Sequence, residues 1–185
     1  GNDLISAGGG NDIILGGDGD DTMIGGAGAD DFTGGTGTDT LDYSASASAV
    51  TVDLAAGTGS GGDAQGDTMT GVEAVIGSGL NDTLTGDSAD NTLDGGAGND
   101  TINGGGGADT LIGGTGTDTA SYAGSSGGVT VDLGTGTGTG NDAQGDTLSG
   151  FENLTGSSYD DLLIGDANAN TLTGGLGNDT LRGGA

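Results

Sequence analysis

The sequence predicts an all-β solenoid of short parallel strands, on three observations. Gly-Gly-x-Gly-x-Asp, followed by x, an apolar residue and x, recurs every nine residues, as at Gly25-Gly26-Ala27-Gly28-Ala29-Asp30-Asp31-Phe32-Thr33. The apolar residue stands two positions after the acidic one in thirteen units, nine residues apart within each of three blocks. The whole pattern then returns after 79 residues, so that Asp39 matches Asp118 and Val50 to Leu54 matches Val129 to Leu133. Repetition on both scales specifies stacked units that bury a common core, not separate globular domains.

The acidic position falls at Asp3, Asp12, Asp21, Asp30 and Asp39, then Asp82, Asn91, Asp100, Asp109 and Asp118, then Asp161, Asn170 and Asp179. The apolar series is Ile5, Ile14, Met23, Phe32, Leu41; Leu84, Leu93, Ile102, Leu111, Ala120; Leu163, Leu172, Leu181. Three repeat blocks, residues 1–42, 77–121 and 156–185, are thus separated by spacers at 43–76 and 122–155. A triplet such as Thr22-Met23-Ile24 makes a short strand whose central side chain points to one face and whose neighbours point to the other. One such strand cannot bury its apolar residue. Two nonapeptides per coil, about 18 residues, stack the strands into two parallel sheets with the apolar series between them.

The spacers read as continuations of the roll. Val50 to Leu54 alternates apolar and polar, while Thr68-Met69-Thr70 and Ala74-Val75-Ile76 resemble repeat strands. The glycine-rich run from Ala55 to Asp67, matched by Gly134 to Asp146, becomes an enlarged loop. This count gives eight strands, or four coils, per module. It places Asp39 and Asp118 on one edge, about 19 Å apart at roughly 4.8 Å per coil. Tyr43 and Tyr122, where the spacers begin, are expected to cap the core. Both chain ends fall inside a repeat, which reads as a segment of a longer array.

Glycine belongs where the backbone turns sharply or takes positive φ, conformations that cost other residues about 1 kcal/mol or more. Such turns aim carbonyl oxygens inward, and each adds one carboxylate. The result is a set of hard oxygen donors suited to calcium, which takes about six to eight oxygens, more than to magnesium with its strict octahedron. Zinc and copper prefer His and Cys, and the chain has neither. The expected donors are the carboxylates of Asp3, Asp12, Asp21, Asp30, Asp39, Asp82, Asp100, Asp109, Asp118, Asp161 and Asp179. They are joined by the turn glycines Gly17, Gly19, Gly26, Gly28, Gly35, Gly37, Gly96, Gly98, Gly105, Gly107, Gly114, Gly116, Gly175 and Gly177. Turns two apart share an edge, which pairs Asp3 with Asp21, Asp12 with Asp30, Asp21 with Asp39, Asp82 with Asp100, Asn91 with Asp109, Asp100 with Asp118, and Asp161 with Asp179. The turns ending at Asp82, Asn91, Asp161 and Asn170 lack key glycines, and weak binding is expected there.

Against 28 Asp and Glu stands one cation, Arg182, for a formal charge of −27. Self-repulsion at that density opposes compaction, and low apolar content adds to it. Divalent ions remove the first obstacle, so that binding energy becomes folding energy. The same charge excludes nucleic acid and phosphate ligands, and no apolar run suggests membrane insertion. Without His, Cys or Lys, the common general bases and activated nucleophiles are missing, and no enzymatic activity is expected. Asn-x-Thr triplets such as Asn81-Asp82-Thr83 are by-products of the repeat, not glycosylation sites.

The three blocks resemble the RTX (repeats-in-toxin) family, and Gly71-Val72-Glu73 resembles connectors found between RTX blocks. The resemblance implies a right-handed parallel β-roll (β-solenoid) with calcium ions between successive turns. It further implies export by a bacterial type I secretion system, with the chain unfolded in calcium-poor cytosol and folded outside. The expected role is a calcium-folded structural segment of a large secreted, extracellular or cell-surface protein of the surface-layer or repeat-adhesin type. The alternative is an export and folding module attached to a secreted enzyme or toxin. The expected partners are calcium ions and further repeats of the same protein, with self-assembly or a cell-surface polysaccharide as additional candidates.

Overall fold

The computed structural model describes residues 1–184. Among them every repeat triplet is a strand and there is no α-helix, only two short 3₁₀ turns at Gly62–Ala64 and Asn141–Ala143. The strands form two long sheets packed on a single apolar core, a parallel β-roll. The eleven-stranded sheet runs Leu4–Gly9, Thr22–Ala27, Thr40–Asp42, Ala74–Ile76, Thr92–Asp94, Thr110–Ile112, Thr147–Ser149, Thr137–Thr139, Thr130–Asp132, Leu162–Ile164, Thr180–Arg182. The ten-stranded sheet runs Ile13–Asp18, Asp31–Thr36, Thr68–Thr70, Thr58–Ser60, Thr51–Asp53, Thr83–Thr85, Thr101–Asn103, Thr119–Ser121, Asn153–Thr155, Thr171–Thr173.

Register follows from the nine-residue period. Ile5 lies opposite Met23 and Met23 opposite Leu41 in one sheet, while Ile14 lies opposite Phe32 in the other. One coil therefore takes two nonapeptides, as expected. Met23, Leu41, Leu84, Leu93, Ile102, Ala120 and Leu163 are all fully buried, and each large member contributes about 1.5–3 kcal/mol of burial. The core is one side chain deep on each sheet, so it is thin for its length. Leu4, Ile13 and Leu15 occupy strand positions that face outward and stay exposed.

The spacers depart from the sequence expectation. Thr58–Ser60 is a fourth spacer strand, inside the run expected to be a loop. It pairs antiparallel with both Thr51–Asp53 and Thr68–Thr70, so all three lie in the ten-stranded sheet as a meander. Gly57 and Gly61, at φ 66° and 75°, make the reversals on either side of it. Meanwhile Thr40–Asp42 and Ala74–Ile76 are direct neighbours in the other sheet. The module therefore contains seven half-coils, not eight. An odd count carries the chain to the opposite sheet: Thr40–Asp42 is in the eleven-stranded sheet and its equivalent Thr119–Ser121 in the ten-stranded one. Asp39 and Asp118 consequently occupy opposite edges, contrary to the four-coil count. The second spacer places its meander, Thr130–Asp132, Thr137–Thr139 and Thr147–Ser149, in the eleven-stranded sheet. Successive spacers thus widen alternate sheets, and the roll stays continuous through both.

Close coil stacking sets the glycine requirement. A Cβ on Gly116, where φ is +149°, would lie 1.6 Å from the Gly98 carbonyl oxygen in the coil before it. Gly124, in the spacer, has only the Asn103 side-chain nitrogen nearby, at 3.9 Å. Gly116→Ala is expected to destabilise the folded chain by more than 1 kcal/mol, through backbone strain and forced separation of coils. Gly124→Ala should stay within about 0.5 kcal/mol of the parent, as measured by urea unfolding in saturating calcium.

Candidate metal centre

The residue before each strand lies at a sheet edge, and stacking aligns these residues into two columns. Within a column each carboxylate accepts the backbone N–H of the equivalent residue one coil earlier. Asp21 Oδ1 accepts from Asp3 N at 2.7 Å, Asp39 from Asp21 at 2.9 Å, Asp30 from Asp12 at 2.9 Å. Asp100 accepts from Asp82 at 2.8 Å, Asp118 from Asp100 at 2.7 Å, Asp109 from Asn91 at 2.8 Å and Asp179 from Asp161 at 3.1 Å. All seven pairs named from the sequence are brought together. The fourteen turn glycines named with them all have positive φ.

Four further acids extend the columns into the spacers. Asp67 Oδ1 accepts from Asp30 N at 2.8 Å and Asp146 Oδ1 from Asp109 N at 3.0 Å. Glu73 and Glu152 accept through Oε2 from Asp39 and Asp118, at 2.9 and 2.8 Å. Sequence reasoning did not name them as site residues. The signal was present, since each directly precedes a spacer strand just as the repeat Asp precedes its own.

The turns fall into two classes by what their second oxygen meets. Oδ2 of Asp12, Asp21, Asp30, Asp39, Asp100, Asp109 and Asp118 is buried and has no hydrogen-bond partner. The first glycine of the turn packs against it: a Cβ on Gly25 or Gly104 would lie 2.2 Å from Oδ2 of Asp30 or Asp109. The other class is closed. Asp82 Oδ2 accepts from Ser78 N at 2.5 Å, while Oδ1 accepts from Ser78 Oγ at 2.8 Å and from Val50 N at 2.7 Å. Asp161 is held identically by Ser157 and Val129. In the Asn turns, Asn91 and Asn170 each accept the N–H of the Asp four residues earlier, at 2.8 Å. Serine or aspartate at that position turns its N–H onto the side chain; the positive-φ glycine of an open turn does not.

An open turn suits a hard cation. A buried carboxylate oxygen without a partner is a large desolvation cost, and a divalent ion offsets it. No cluster of three or more His, Cys, Asp or Glu occurs among the described residues, because stacking places one acid per turn in each column. An ion held there would draw its remaining donors from backbone carbonyls and water, which calcium accepts. The profile of the RTX calcium-binding nonapeptide repeat (4 copies) matches residues 1–23, 6–41, 76–111, 85–120 and 146–185. These stretches cover more than half of the chain, and it belongs to that calcium-binding repeat family. No curated protein matches it. No described helix is long and apolar enough to cross a membrane.

Burial raises the pKa of five column acids. It pushes Asp100 up to about 6 and Asp109 up to about 7; the hydrogen bonds from Asp82 N and Asn91 N pull the other way, and neighbouring acids add to the rise. Asp67, Asp118 and Asp146 are raised for the same first reason. An acid whose folded pKa exceeds its unfolded value binds more protons when folded, so ion-free stability falls as pH rises from about 4 to about 7. In chelator, the β-signal is therefore expected to grow as pH is lowered across that window, followed by circular dichroism. A pH-independent spectrum would contradict this.

Tyr43 and Tyr122 are core residues with a polar task. Each hydroxyl donates to Oδ2 of a spacer acid, Asp67 at 2.9 Å and Asp146 at 2.8 Å. Tyr43→Phe strands a buried carboxylate oxygen and should cost about 1–3 kcal/mol in calcium-loaded urea unfolding. An unchanged midpoint would show that the bond is dispensable.

Proposed function

We propose that this chain is a calcium-folded structural segment of a large secreted or cell-surface bacterial protein, of the surface-layer or repeat-adhesin kind. The observation that carries the calcium reading is the set of seven buried, partnerless Asp oxygens. Ions occupy those open turns, with carboxylates and turn-glycine carbonyls as donors. Asp82 and Asp161, whose oxygens are already hydrogen-bonded, shape their turns without an ion. At the roughly 0.1–1 mM affinity usual for extracellular calcium modules, the chain is unfolded in calcium-poor cytosol and folds after export through a type I system. The structural role is supported by the 79-residue module, which adds length to a continuous roll with no change of core.

Circular dichroism during calcium titration tests the reading. In chelator at about pH 7, above the window in which protonation favours folding, the spectrum should be that of a disordered chain, and calcium should produce a cooperative gain of β-signal that equal magnesium does not. A fully β-structured chain in chelator would sink it. Asp30→Ala and Asp109→Ala should each lower the bound calcium count and raise the midpoint. Asp53→Ala, whose carboxylate only accepts from Ala56 N at 2.8 Å in an exposed turn, should do neither. Equal effects at both kinds of position, by calorimetry, would refute the assignment to open turns.

A further inference from the structure

The last intact turn of each full block, Gly34 to Asp39 and Gly113 to Asp118, has no nonapeptide turn stacked above it. The spacer turn Gly71-Val72-Glu73, or Gly150-Phe151-Glu152, takes that place. It reproduces two features of a repeat turn. First, a carbonyl occupies the stacking position: a Cβ on Gly34 would lie 1.8 Å from Gly71 O, and one on Gly113 2.1 Å from Gly150 O. Inside the blocks the same position is filled by the next repeat, with Gly34 O 2.5 Å from a Cβ on Gly16 and Gly113 O 2.7 Å from one on Gly95. Second, Glu73 and Glu152 accept the N–H of Asp39 and Asp118, as a repeat Asp would. The spacer chain is also tied down there, since Ala74 N and Asn153 N donate to the carbonyls of Asp39 and Asp118 at 2.9 Å.

The turn beneath is open. Asp39 and Asp118 are both 0% exposed, and Oδ2 of each lacks a hydrogen-bond partner. The two columns end differently in this respect. On the other edge the terminal acids Asp67 and Asp146 have their second oxygen taken by a tyrosine hydroxyl, whereas Glu73 and Glu152 have only one oxygen so engaged. Residues 71–73 lie outside every stretch matched by the repeat profile, whereas the equivalent residues 150–152 fall inside the match to 146–185.

We propose that Glu73 and Glu152 are calcium ligands, each completing, with the carbonyl of Gly71 or Gly150, the ion site on the last intact turn of its block. The inference rests on the calcium reading above. It makes each spacer part of the ion array: one edge carries its last metal site into the spacer, and the tyrosine-capped edge stops before it. Glutamate suits the position because the spacer turn has three residues where a repeat has six, and the longer side chain spans the difference.

Calcium stoichiometry of the full chain, by equilibrium dialysis with circular dichroism on the same samples, tests this. Glutamine keeps an oxygen for the Asp39 or Asp118 N–H but loses the charge. Glu73→Gln and Glu152→Gln should each bind one ion fewer than the parent, and the double variant two fewer, while Asp53→Asn keeps the parental number. Parental stoichiometry and affinity in both Gln variants would overturn the proposal. If Glu73→Gln gains no β-signal at the calcium level that folds the parent, titration to higher calcium decides. A roll restored at raised calcium with one ion fewer supports a ligand role, and a chain that stays unfolded at every calcium concentration overturns it. A parent chain that binds no calcium would instead defeat the calcium reading, a separate and distinguishable failure.

Discussion

Stacking one carboxylate per turn into a column at each edge is the constraint on which the rest of this molecule depends. Coils in register lie roughly 4.8 Å apart, and two unit charges at that spacing repel by about 1 kcal/mol in water and about 3–4 kcal/mol at an effective dielectric near 20. Each column also buries its acids: Asp21, Asp30, Asp39, Asp100, Asp109 and Asp118 are at most 1% exposed. A core one residue deep per sheet, with Ala120 at one rung, cannot outweigh such repulsion and desolvation together. Hydrogen bonds from the preceding coil satisfy one oxygen of each acid and fix the stacking register. The other oxygen is left for a cation, and under the proposed function folding is conditional on that cation.

The two turn classes divide this dependence along the chain. Open turns precede each spacer, from Asp12 to Asp39 and from Asp100 to Asp118, and closed turns follow it, where Ser78 and Ser157 satisfy Asp82 and Asp161 locally. A closed turn has its side-chain oxygens hydrogen-bonded within the protein and still aligns the next strand. The spacer meander lies between the two classes and adds strands to one sheet only. Because the next spacer adds its strands to the other sheet, the two insertions offset one another, and equivalent rungs return to the same sheet after two modules. The structural repeat is therefore twice the sequence repeat.

Much of this was legible in the sequence. The nine-residue frame identified the core series from Ile14 to Leu163 and all seven stacked pairs, six of them between carboxylates, because a solenoid turns linear spacing directly into stacking. The spacer path was not legible. Thr58-Gly59-Ser60 carries no apolar residue, so hydrophobic periodicity gives it no signal, and its strand character comes from pairing between two neighbours. Missing that one strand changed the half-coil count from odd to even and put Asp118 on the wrong edge. The closing role of Ser78 and Ser157 was hidden for a different reason. A serine in place of glycine reads as a defect in a binding motif, and only the hydrogen-bond pattern shows it satisfying the acid by other means. Asp67 and Glu73 were overlooked because the surrounding residues leave the nonapeptide pattern, although their position before a strand is the same.

The measurement that bears most directly on this account is the location of calcium in a crystal of the ion-loaded chain, by anomalous scattering. The account predicts ions within about 2.3–2.6 Å of the partnerless Oδ2 atoms in the open turns, and none on Asp82 or Asp161. Ions seated on Asp82 and Asp161, or open turns that stay empty at saturating calcium, would contradict it.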